Sequence, residues 1–228
     1  MIGWLARAPW WEVLAIGAGI NVVTVAASVA FWRALVALRP APELVRPPTR
    51  RDVAFTASTA TTNALTVLPG WWLLRHGWIE VPAFSAARFP LELLYLLVGL
   101  DLLAYLLHRG FHLAWIYPWF HQLHHVDDER MSPLTLFVMH PFEAAGFAGM
   151  VLVLLRLWPV SFAAVATFFT LNLVLGTVAH RPRPADQPVT VWDRTLGGSW
   201  LHRGHHEAVT TNYGFFTQGW DRLLRTRR

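Results

Sequence analysis

Five stretches of this chain are too apolar to be left in water, and they restrict its fold more than any other feature. Residues 13–31, 53–74 and 161–179 contain no charged side chain. Residues 91–107 are interrupted only by Glu92 and Asp101, and residues 142–158 only by Glu143 and Arg156. At a rise of 1.5 Å per residue, about 20 residues cross the hydrocarbon core of a bilayer. Backbone polar groups there must bond within their own segment, so each stretch is expected to be a helix. Residues 53–74 are the weakest span, being Thr-rich with Pro69-Gly70 near the end, and Pro82 and Pro90 bracket the loop that follows. Pro159 marks the turn of a helical hairpin between the last two stretches. Composition agrees: 54% of residues are hydrophobic and 14% charged, against about 25% charged in a soluble domain. The 13 tryptophans suit a membrane–water interface.

The formal net charge is +5, and every basic residue is arginine. Arginines gather after the first stretch (Arg33, Arg39, Arg46, Arg50, Arg51), beside His108, after His180 and at the C-terminus. They read as a topology signal and not as a nucleic-acid surface. The positive-inside rule then gives five spans in a bacterial inner membrane, with the N-terminus outside and the C-terminus in the cytoplasm. No cleavable signal peptide is expected, since Arg7 stands alone before an apolar run that continues too long. The absence of cysteine excludes disulfides, iron–sulfur clusters and thiolate metal sites. The whole is expected to be one all-α membrane bundle of four to five transmembrane helices over residues 1–228. A histidine-rich cap lies on its cytoplasmic side.

That cap is where the chemistry concentrates. H-x-x-H-H occurs at His121, His124, His125 and again at His202, His205, His206. Chance predicts about 0.03 copies in a chain of this length and histidine content. His108 and His112, four apart, project from one helix face, and His180 ends the last apolar stretch. On a helix, one H-x-x-H-H can aim two rings at one ion and the third at a neighbouring ion. Together these histidines are about enough for two metal ions. Imidazole suits Fe, Zn, Cu and Ni alike. No pair of Glu-x-x-His helices exists, so this is not the carboxylate-bridged di-iron bundle. H-E-x-x-H is also missing, because Thr210 stands where its second His belongs.

Asp101, two turns before His108, is a costly carboxylate in an apolar helix, and its expected partner is an imidazole N–H or the metal charge. Asp127, Asp128, Glu129, Glu143 and Glu207 can balance the metal charge, although the acidic triplet reads equally as a solvated loop. His140 is a ligand, a donor behind a ligand, or a helix cap. His76 reads as a surface residue. A non-redox membrane metal-binding or transport protein is the alternative, but it would place ionisable residues deep in several spans.

Taken in order, these boxes resemble the fatty acid hydroxylase/sterol desaturase superfamily. The resemblance runs through D-L-L-A-Y (101–105), H-R-G-F-H (108–112), the first H-x-x-H-H and H-P-F-E at His140. It continues with Asn172, His180, the second H-x-x-H-H, N-Y-G (212–214) and W-D-R (220–222), covering residues 91–226. The chain departs from the pattern at V-A-H-R-P around His180, which lacks a second His or polar pair, and at R-L-L-R-T, which lacks a Gly before the Thr. The resemblance implies an oxidoreductase with two iron ions held by His108, His112, His121, His124, His125, His180, His202, His205 and His206. His140, Asp101, Glu143, Asn172 and Asn212 would stand in or behind that ligand shell. The implied partners are O2, a lipid (sterol, fatty acyl or related) and a separate electron-donor protein. Tyr105, Phe111, Trp115, Phe137 and Phe168 are candidate walls of a lipid pocket.

Overall fold

The computed structural model describes residues 3–125, 130–184 and 186–228. Among them there is no strand, only two isolated bridges, Val45 to Met131 and Leu196 to Thr217. Each of the five apolar stretches is a helix: α1 (Trp10–Leu38), α2 (Arg50–Arg75), α3 (Phe89–Phe111), α5 (Pro141–Leu157) and α6 (Phe162–Ala179). Four shorter helices carry the polar pole: α4 (Tyr117–Phe120), α7 (Val191–Thr195), α8 (Ser199–Glu207) and α9 (Gly219–Leu223). α1, α3 and α6 are long and apolar enough to cross a membrane, and the chain is an integral membrane protein. α2 continues past Pro69 to Arg75. Pro90 lies in the first turn of α3 and not in the preceding loop, where its missing N–H costs no intrahelical bond.

Local chemistry sets the helix ends. Thr49 and Asp52 form a capping box at the start of α2, an arrangement whose cap alone contributes about 1 kcal/mol. Arg46 pairs with the fully buried Asp52 carboxylate, so the α1–α2 connection is tied to that cap. Pro141 opens α5, and the Ser161 hydroxyl caps α6. At this end of the bundle, Ser161 also donates its N–H and its hydroxyl to the buried Glu92 of α3.

The five long helices close a ring. α1 packs on α2, α2 on α5, α5 on α3, α3 on α6, and α6 on α1. The expected α5–α6 hairpin therefore exists as a turn but not as a packed pair, because α3 lies between its arms. On α3 the buried positions Glu92, Leu96, Leu100, Asp101, Ala104, Tyr105 and His108 recur at helical spacing, a stripe that runs from one pole to the other. Leu96 and Leu100 join Leu154 of α5 and Ala164 and Phe168 of α6 in the core, where Phe216 from the C-terminal segment also inserts. A Cβ on Gly99 would lie 2.9 Å from Leu154 Cδ1, so α3 and α5 approach closely there and a larger residue would make the Leu154 side chain shift. Leu91, Leu94, Val98 and Leu106 of α3 are exposed, as are Ile16, Ile20, Val22 and Val23 of α1. Such surface is stable against lipid and not against water.

Candidate metal centre

Both H-x-x-H-H copies reach the same pole, but on different backbones. The second lies on α8, whereas His121 ends the short α4 and residues 121–125 are turns. The expected helical geometry thus holds only for the second copy. α3 supplies His108 and, at its C-cap, His112, while α6 supplies His180 at its C-cap. Possible ligand atoms of His108, His112, His121, His125 and His205 all lie within 4.8 Å of one another, as do those of His124, His180 and His202. Each H-x-x-H-H straddles the two groups. His206 joins them, its ring 4.2 Å from that of His125 and 4.3 Å from that of His202.

Hydrogen bonds on one side of the rings decide what the other side offers. His108 Nδ1 lies 3.0 Å from the Tyr213 carbonyl, His205 Nδ1 2.7 Å from that of Thr211, and His180 Nδ1 2.8 Å from that of Gly176. A carbonyl only accepts, so in each ring Nδ1 carries the proton and Nε2 a bare lone pair. His121 Nδ1 is 2.9 Å from the buried Glu143 carboxyl group, a polar contact that orients the ring. His108 points its unprotonated Nε2 at His121 Nε2, 3.0 Å away. Such a pair of nitrogens is held either by an N–H of the second ring or by a cation that both face. Two adjacent ligands at about 2.1 Å from one ion, set at a right angle, are about 3.0 Å apart. His205 Nε2 and His112 Nε2 repeat the 3.0 Å separation. Among the described residues, the Nε2 atoms of His180 and His202 and both ring nitrogens of His125 are buried without a hydrogen-bond partner. Orphaned buried acceptors of this kind fit a metal, and the donor set fits borderline divalent ions such as iron.

Burial keeps these rings neutral. It lowers the pKa of His121 to about 4 and of His180 and His205 to about 3, and neighbouring imidazoles depress His112, His125, His202 and His206 further. Neutral imidazole is the metal-binding form.

The remaining predicted residues divide. Glu143 touches a ligand candidate, as described. Asp101 does not: the expected imidazole or metal partner is replaced by the Phe216 and Thr217 N–H groups at 2.8 and 3.2 Å and the Thr217 hydroxyl at 2.6 Å. Its role is to pin the C-terminal segment to α3. His140 accepts the Phe142 N–H through Nδ1 and caps α5, joining neither group. Asn172 sits half-buried in α6. Asn212 holds a left-handed φ of 59° and accepts the Arg228 N–H, so it shapes the tail. Asp127, Asp128 and Glu129 lie outside the described residues, and Glu207 pairs with Arg203. Of the aromatic residues expected to wall a pocket, Phe111 stacks on His121. Tyr105, Phe137 and Phe168 are buried, whereas Trp115 is 75% exposed. His76 is exposed and stacks on Trp72.

Asp221 of the W-D-R box, for which the sequence offers no role, is fully buried and accepts the Tyr213 and Gly214 N–H groups at 2.8 Å each and the Thr226 hydroxyl at 2.7 Å. It thereby holds the loop whose Tyr213 carbonyl orients His108. The carbonyls of Thr211, Tyr213 and Gly176 have no sequence signal, since every residue carries one. A cleft of about 490 Å³ opens beside His206, with Arg130, Arg181 and Arg203 on its walls.

Comparison with known proteins places this site in context. A family model described as fatty acid hydroxylase matches residues 93–226, over half of the chain. The Delta(7)-sterol 5(6)-desaturase of Eremothecium gossypii is 28% identical over 160 residues, 67% of this chain and 44% of that protein. A Delta(7)-sterol 5(6)-desaturase of Leptosphaeria maculans is 28% identical over 68% of this chain and 38% of its own length. A probable Delta(7)-sterol 5(6)-desaturase of Neurospora crassa is 30% identical over 68% of this chain and 42% of its own length. The chain thus spans less than half the length of these fungal relatives, and no solved structure matches it significantly. The matched region begins inside α3 and ends beyond α9, enclosing every histidine of both groups, and the chain belongs to the fatty acid hydroxylase family.

Proposed function

We propose that the chain is a membrane-bound oxidoreductase that uses O2 and two histidine-held iron ions to hydroxylate or desaturate a lipid C–H bond. The observation that carries this reading is the convergence of His108, His112, His121, His125 and His205, whose possible ligand atoms all lie within 4.8 Å of one another. Ligand type alone leaves several metals open; the match to the fatty acid hydroxylase family supports iron. His108, His112, His121, His125 and His205 would hold one ion. His124, His180, His202 and His206 would hold the other. When bound, the iron pair supplies the activation of O2 and the oxidation of the C–H bond.

The protein's own part is to bind, orient and shield. Backbone carbonyls hold the Nδ1 protons of His108, His180 and His205, so these rings offer Nε2 in a fixed direction, and Glu143 orients His121. Burial keeps the rings neutral and excludes water that would quench a reactive centre. Either outcome consumes O2 with two electrons and two protons. Hydroxylation places one oxygen atom in the lipid and releases water, whereas desaturation releases both oxygens as water. The electrons would come from a separate protein at the histidine pole, which the arginine distribution orients towards the cytoplasm. The lipid, a sterol, fatty acyl chain or related molecule, would reach the centre from the hydrocarbon side.

Lipid profiling of cells expressing the chain or its His205→Ala variant tests this. The wild type should deplete one lipid pool and generate a hydroxylated or unsaturated product that the variant does not make. Identical profiles, in cells where both proteins accumulate and an electron donor is co-expressed, would contradict it.

A further inference from the structure

α1 lies wholly before the family-matched region, and a membrane anchor is the role its apolar surface suggests. One face of it does something more specific. Ser28 and Trp32, four apart, are 1% and 5% exposed and turn towards α6. The Ser28 and Thr177 hydroxyls meet at 2.9 Å. One turn further, the Trp32 indole N–H donates to the His180 backbone carbonyl at 3.0 Å. His180 is the C-cap of α6, where the last carbonyls of a helix have no intrahelical partner. Without an external donor, such an end frays.

We propose that Trp32 is a positioning residue for the second metal group, acting through His180; this rests on the reading of His180 as a metal ligand. Besides the His180 N–H, which bonds the Gly176 carbonyl and continues the helix, two further hydrogen bonds hold that residue, at opposite ends. The indole holds its backbone, and the Gly176 carbonyl holds its Nδ1 proton. Together they aim Nε2, which has no hydrogen-bond partner among the described residues, at the ligand atoms of His124 and His202. The Trp32 bond reaches the second group through His180, so its influence is expected on that ion. A helix outside the histidine boxes thereby completes the outer support of one half of the centre.

The test separates the N–H from the bulk of the ring. Trp32→Phe keeps most of the volume and loses the donor. Trp32→Gln loses volume but carries an N–H the same number of bonds from Cβ. Purified iron-loaded proteins are titrated with a chelator, metal per chain is measured, and melting temperatures are recorded in parallel. Trp32→Phe should release one of its two ions about 10- to 100-fold more readily than wild type, the usual effect of losing an outer-shell partner. Trp32→Gln should hold both ions better than Trp32→Phe while melting lower, because its cavity is larger. Trp32→Leu repeats the donor-free arm should the phenylalanine variant not accumulate.

Metal retention that follows melting temperature across the series, or wild-type retention in Trp32→Phe, overturns the role of Trp32 and leaves the metal centre standing. A wild-type protein that takes up no metal overturns the metal reading itself.

Discussion

At the scale of single residues, the account depends on which ring nitrogen carries the proton. Glu143 lies 2.9 Å from His121 Nδ1 and orients that ring. Glu143→Gln should therefore weaken metal binding about 10- to 100-fold, measured by chelator competition, with little change in helical content. His121→Ala or His205→Ala removes a ligand candidate outright and should abolish turnover. Acid should act on the same rings. His121, His180 and His205 have folded pKa values near 4, 3 and 3, against 6.5 for a free ring. Below pH 6.5 the unfolded chain binds protons that the folded rings refuse, so stability is complete above that pH and falls as pH drops towards 4. The slope is about 1.4 kcal/mol per pH unit for each such ring. Thermal melts of the metal-free protein between pH 7.5 and about 4.5 check this. A flat profile would mean that the rings are not buried as described.

At the scale of elements, the question is what brings remote boxes together. All five long helices were legible in the sequence, because a charge-free run of that length has few alternatives. Their order around the ring was not, since nothing in residues 142–179 says that α3 will come between α5 and α6. The histidines were legible as one site because imidazoles have few other reasons to cluster. Asp101 was legible as important but assigned the wrong partner. Its acceptors' targets are backbone N–H groups of residues 216 and 217, which no side-chain pattern reveals. Asp101→Ala should leave those donors buried and unpaired and cost about 2–4 kcal/mol, read as a lowered melting temperature. Gly197→Ala should be comparably harmful, since its Cβ would lie 1.7 Å from the Phe215 carbonyl oxygen. Restoration of normal stability by either variant would detach the C-terminal segment from the role given to it.

At the scale of the whole molecule, a ring of apolar helices delivers ligands from α3, the turns after α4, α6 and α8 to one pole. A reporter fused after Arg228 should report from the cytoplasm; a signal from the opposite side would invert the orientation given to the histidine pole. The central claim, however, is that these nine histidines form one two-metal cage and not two chance clusters. The most direct measurement is the iron content of the purified protein after anaerobic loading, compared with His121→Ala and His202→Ala, which strike different groups. The account predicts about two ions per chain in the wild type and loss of metal from a different ion in each variant. A wild-type protein without bound metal, or two variants that both retain two ions, would contradict it.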